Sequence, residues 1–244
     1  MNRLHAQWQR LFLAPGLQPE DGQTPPLTDA LGRTRALLLE LARPADWRAL
    51  AGVWQAVQQE LGLPAPAIAV SGSEGFQLWF ALAEPVAPAD GLAFLQALSQ
   101  RYLPDVAPQR LRLQAGVLSD SPVAALPPQL QAQAGQWSAF VSPDLAPVFA
   151  DTPWLDVAPG ADGQADLLAG LHCLSTEDLR VATARLAPLH LDSESTEPRA
   201  AAPADPGAAA RQTPQAFLSE VMNDASVPLA LRIEAAKALL AHSR

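Results

Sequence analysis

The chain has 244 residues, 49% of them hydrophobic, 6% aromatic and 17% charged, with a formal net charge of −9. That length supports one sizeable core with appendages, and the acidic balance, with one Lys beside fifteen Arg and no basic run, argues against a surface built to neutralise many phosphates. The single cysteine, Cys173, excludes an intramolecular disulfide; no apolar run approaches the roughly 20 residues that span a bilayer, and no basic-then-apolar leader opens the chain, so a soluble cytoplasmic protein is expected.

In chain order, residues 1–13 place Leu4, Trp8, Leu11 and Phe12 at helical spacing, followed by a Pro/Gly/Gln/Thr loop to residue 28. RALLLEL (35–41) reads as a buried strand. Asp46 then stands at an N-cap position ahead of Leu50, Val53, Trp54, Val57 and Leu61, one apolar helix face that Gly62 and Pro64 end. AIAV (67–70) is a second strand. The turn SGSEG (71–75) follows, with Gly72 and Gly75 expected to supply positive φ. FQLWFAL (76–82) alternates Phe76, Leu78, Phe80 and Leu82 against Gln77, Trp79 and Ala81, a third strand in a hairpin with the second. Pro88 opens a second helix carrying Leu92, Leu95, Leu98 and Tyr102, and RLRLQ (110–114) is a fourth strand.

The order β-α-β-β-α-β predicts an α+β fold with a ferredoxin-like core, an antiparallel sheet with both helices on one face. Residues 116–165 are Pro-rich, with short apolar pieces at 137–141 and 153–157 that read as strands or irregular structure beside the sheet. Residues 164–187 read as helical, with Ser175 as an N-cap and Asp178 at N3. Residues 192–212 hold no large apolar side chain and read as a flexible linker. Beyond it, 213–244 read as a helical pair, with Phe217, Leu218, Met222, Leu231 and Leu239 among its apolar face. Two helices this short are marginal alone, so a protein-docking role is expected of them; they also resemble short helical segments of phage-type small terminase subunits. The expected division is thus 1–28, 29–191, 192–212 and 213–244.

The segment from Leu37 to Gln114 resembles the catalytic core of the archaeo-eukaryotic primase superfamily, with the ligase-attached polymerase domains and primase-polymerases as the nearest look. LLLELARPADW (37–47) matches the family's first strand and its exit, LGLPAPAIAVSGSEGFQLWFAL (61–82) its Ser-Gly turn and following strand, and RLRLQ (110–114) the place of its third motif. The resemblance implies a primase-like fold and a nucleotide or nucleic-acid contact. It also implies a metal site of several carboxylates, which divalent cations require. This sequence departs from that pattern. Glu40 is the one acid at the first motif, Gln77 stands where the family has a nucleotide-contacting His, Glu74 sits in the turn, and Arg112 or a neighbour replaces the third-motif acid.

No metal site and no cofactor are therefore expected, and Glu40 is a remnant acid. Ser71, Gly72, Ser73, Gln77, Trp79, Arg110 and Arg112 are the candidate nucleotide or nucleic-acid contacts, Trp79 either as a stacking ring beside a basic strand face or as a ring covered by residues 137–157. His172 and Cys173 are adjacent on the expected helix and do not point together; Cys173 reads as a buried thiol there. Three functions stay open: a non-catalytic primase-like binding or scaffold protein in DNA maintenance or a mobile element, a protein-interaction module with no nucleic-acid role, and, behind both, a divergent metal-dependent nucleotidyltransferase using Glu40.

Overall fold

Alternation of apolar side chains along the strands sets the layers of this molecule. A computed structural model describes residues 2–17, 25–42, 44–116 and 124–187. In β1 (Thr34–Ala42), Leu37, Leu39 and Leu41 face one side of a sheet, while Ala36 and Leu38 face the other. In β3 (Gly75–Val86), Phe76, Leu78, Phe80 and Leu82 share the first side, and Trp79 and Ala81 the second. With β2 (Ala67–Val70), β4 (Leu111–Ala115) and β7 (Ala139–Val141) they form a five-stranded sheet in the order β4-β1-β3-β2-β7, every neighbouring pair antiparallel. The short strands β5 (Leu130–Gln131) and β6 (Gln136–Trp137) make a separate hairpin.

The first face is covered by α2 (Trp47–Gln59), α3 (Pro88–Tyr102) and α5 (Thr176–Leu186), whose Leu50, Val53, Val57, Phe94, Leu95, Leu98, Leu179 and Ala182 join one core with the strand leucines and phenylalanines. Phe94 meets Phe80 edge-on at 5.4 Å. The second face is covered by α1 (Arg3–Leu11) and α4 (Ala161–Ala169), which bring Leu4, Trp8, Leu11 and Leu168 onto Leu38, Trp79 and Phe140. This second layer is what periodicity in the strands alone does not announce: α1 packs on the sheet within one compact unit, Met1–His190.

Local chemistry fixes the helix starts. The Asp46 carboxylate accepts the Ala49 N–H at 3.1 Å. Ser175 and Asp178 form the reciprocal capping box expected from their spacing, Ser175 Oγ accepting the Asp178 N–H at 3.0 Å. The helical reading of 164–187 divides into α4 and α5, so His172 and Cys173 lie in the irregular link between them and not on a helix. There Cys173 is half-buried, its Sγ 3.7 Å from Arg35 Nη2. Arg35 also donates to the Leu13 and Arg10 carbonyls at 3.0 and 2.9 Å, capping the last turn of α1.

β7 would leave an open edge on the sheet, a liability for edge-to-edge pairing. Gln164 of α4 closes part of it. Its Oε1 accepts the Phe140 N–H at 2.7 Å and its Nε2 donates to the Phe140 carbonyl at 3.0 Å, so the buried amide takes the place of a sixth strand at that residue. Among the described residues no helix is long and apolar enough to cross a membrane. The linker expected over 192–212 and the helices expected over 213–244, with Phe217, Leu218, Met222, Leu231 and Leu239, lie outside the described residues.

Candidate functional site

Period-two alternation puts Glu40 on the α1/α4 side of the sheet, the side where its neighbour Leu38 is buried under α1. The strand register then places Arg112 of β4 and Gln77 of β3 directly opposite Glu40 on either side, giving a row of three polar side chains across three strands. Gln77 and Glu40 are buried, the latter 7% exposed. The Arg112 side chain is 43% exposed.

Hydrogen bonding orders this row from one end. The Trp79 indole N–H can only donate, and it reaches Gln77 Oε1 at 2.9 Å. That turns the Gln77 amide so that Nε2 donates to Glu40 Oε2 at 3.2 Å. Arg112 Nη1 stands 3.6 Å from the same oxygen. Burial pushes the Glu40 carboxyl above its ordinary value; the charge of Arg112 and the Gln77 hydrogen bond pull the other way and are outweighed. Arg112 is too solvated to reverse the desolvation of its partner, since half-exposed ion pairs contribute roughly 0–1 kcal/mol.

The row forms one wall of a cavity of ≈ 360 Å³. Ser71 and Ser73 stand on the β2–β3 turn, and Ala124, Ala125, Gln129, Leu130, Gln131 and Ser138 close the remaining side. Gln131 Nε2 donates to the Ser71 carbonyl at 3.3 Å, tying that side to the turn. Gly72 has φ +79, and a Cβ there would lie 2.6 Å from the Ser138 nitrogen, so only glycine permits this approach. Gly75 is not in the left-handed region expected for it. Its role is space: a Cβ would lie 2.7 Å from the Leu41 carbonyl oxygen and 3.2 Å from Glu40 Oε1.

The turn bonds to itself. Ser71 Oγ accepts the N–H groups of Ser73, Glu74 and Gly75 at 3.2, 3.2 and 2.9 Å. The Ser71 N–H goes to the Gly75 carbonyl and the Gly72 N–H to the Pro153 carbonyl. Every backbone N–H from Ser71 to Gly75 therefore has a partner within the protein, and what the turn presents to the cavity is its serine hydroxyls.

Of the residues singled out from sequence, Glu40, Ser71, Ser73, Gln77 and Arg112 line one cavity although they are spread over 73 positions, from 40 to 112. Gly72 supports it from behind. Trp79 does not offer a stacking face: it is 1% exposed, with Phe12, just after α1, edge-on at 6.1 Å. The apolar ring is buried in the second core, and only its N–H serves the site. Arg110 precedes β4, in a short 3-10 turn rather than on the strand, and its guanidinium is turned to the Ala42 and Pro44 carbonyls at 3.2 and 2.8 Å. Gln129, Gln131 and Ser138 carried no sequence signal, because they come from a Pro-rich stretch with no periodicity. Among the described residues no three His, Cys, Asp or Glu side chains gather as a metal-ligand set.

No family model matches this chain, and no curated protein matches it. Among solved structures it is similar to the polymerase domain from Mycobacterium tuberculosis Ligase D in complex with DNA, with 21% identity, covering 65% of this chain and 56% of that one, at a TM-score of 0.38. The chain thus spans little more than half the length of that domain. At so loose a superposition the site has to be read from its own residues.

Proposed function

We propose that the chain is a non-catalytic binding protein that holds a nucleotide or a nucleic-acid strand in the cavity at Glu40. We read β1-α2-β2-β3-α3-β4 as a ferredoxin-like, primase-like core, used as a scaffold in DNA maintenance or a mobile element. One observation carries the reading. The three segments whose motifs resemble the primase superfamily, around Glu40, Ser71–Gln77 and Arg112, line the same cavity, with Glu40 as its one acidic side chain among the described residues. That carboxylate is already engaged by Gln77 and Arg112. Two-metal phosphoryl transfer needs metals to bridge attacking and leaving oxygens, and one carboxylate supplies too few oxygen ligands to hold them.

Primer extension with Mg²⁺ or Mn²⁺ and nucleoside triphosphates tests the non-catalytic part. The expected result is no more product from the protein than from its Glu40→Ala variant; product that disappears with Glu40 contradicts it. A second reading, a protein-interaction module, is favoured by the exposed Leu145, Val148 and Val157 on the segment that follows β7. Under that reading Arg112→Ala leaves every interaction of the protein unchanged.

A further inference from the structure

We propose that the Glu40–Arg112 pair recognises a cyclic amide edge, a ring N–H beside a ring C=O as in guanine, hypoxanthine, uracil or thymine, the N–H donating to Glu40 and the C=O accepting from Arg112. The inference rests on the nucleotide reading and names the part of the nucleotide the cavity takes.

Three features of the cavity lead there. First, an acceptor and a donor stand side by side on one wall. Glu40 and Arg112 are cross-strand partners on the same sheet face, 3.6 Å apart, and both line the cavity. A carboxylate has about four lone-pair sites and a guanidinium five N–H donors. The one hydrogen bond from Gln77 leaves acceptor capacity on Glu40, so a ligand carrying a donor next to an acceptor completes both groups at once.

Second, the cavity is ill suited to phosphate. The N–H groups that would form an anion-binding nest are spent on Ser71 Oγ, the Gly75 carbonyl and the Pro153 carbonyl. Arg112, the one cation on its wall among the described residues, already faces a carboxylate, so an anion placed there meets Glu40 as well. Third, the wall is held in place before any ligand arrives. The Trp79–Gln77 bond fixes the amide behind Glu40, and Gln131 is tied to the Ser71 carbonyl. The volume of ≈ 360 Å³ is that of a small-molecule pocket and admits a single heterocycle.

Calorimetric titration of the full chain with guanosine, uridine and their N-methylated forms, 1-methylguanosine and 3-methyluridine, tests this, with inorganic phosphate as competitor. A single-stranded oligonucleotide of mixed sequence, followed by fluorescence anisotropy, runs beside it. The proposal predicts saturable binding of guanosine or uridine, weakened at least about tenfold by the ring N-methyl group, weakened similarly by Arg112→Ala, and not displaced by phosphate. Equal binding of methylated and parent nucleosides, or displacement by phosphate, overturns it. An oligonucleotide that binds while neither nucleoside does overturns the edge recognition but leaves the nucleic-acid reading standing. No binding of either kind removes both.

Discussion

Glu40 is the residue on which the site turns, and its titration is a direct probe of its surroundings. Its folded-state value is raised above 4.5 by burial. The native state therefore holds a proton that the unfolded chain has lost in the interval between the two values. The contribution of Glu40 is most favourable below that interval, and stability falls as pH rises through the raised value. Glu40→Gln removes this loss: thermal unfolding of the variant should have a higher midpoint than the parent near about pH 8, and the two should converge near about pH 4. Gln77 is tested from the other side. Gln77→Leu orphans a buried indole N–H and strips Glu40 of its donor, at a cost of about 1–3 kcal/mol for the indole alone. A urea titration should show a lowered midpoint with an unchanged slope. Gly72→Ala forces a side chain into a left-handed backbone position against Ser138, and should cost of order 1–3 kcal/mol by the same measurement.

At the scale of elements, α4 protects the sheet through one side chain. Gln164→Ala removes both bonds to the Phe140 backbone and leaves the β7 edge unpaired at that point, so about 1–3 kcal/mol should be lost. The variant should also self-associate on concentration, which light scattering reads. The strands and helices themselves were legible where side chains repeat at fixed periods. β1, α2, β2, β3 and α3 follow from apolar spacing, and the starts of α2 and α5 from Asp46 and the Ser175–Asp178 pair. What could not be read is what arrives from far along the chain. Trp79 alternates with the core phenylalanines, which leaves open whether it faces outward or lies under residues 137–157; α1, some seventy residues earlier, buries it together with Phe140. Arg110 has the same spacing to Arg112 as a strand neighbour, but Pro108 starts a tight turn that ends the alternation one residue before β4. Half of the site, the wall of Gln129, Gln131 and Ser138, sits on segments whose positions are set by contacts with the turn at Gly72 and not by any local pattern.

The whole molecule carries −9 charges, so binding to nucleic acid has to overcome a repulsive field and cannot rest on counterion release. A ligand held by its base edge against Glu40 and Arg112 neutralises few phosphates, so affinity for a single strand should change by less than about tenfold between 50 and 200 mM salt. A steep salt dependence would place the contact on a basic surface elsewhere. The measurement that bears most directly on the account is fluorescence anisotropy of a labelled single-stranded oligonucleotide at low salt, titrated with the parent protein and with Arg112→Ala. Saturable binding by the parent, weakened at least about tenfold in the variant, is the result predicted for a ligand seated against the Glu40 row. No saturable binding, or equal binding by the two proteins, would contradict it.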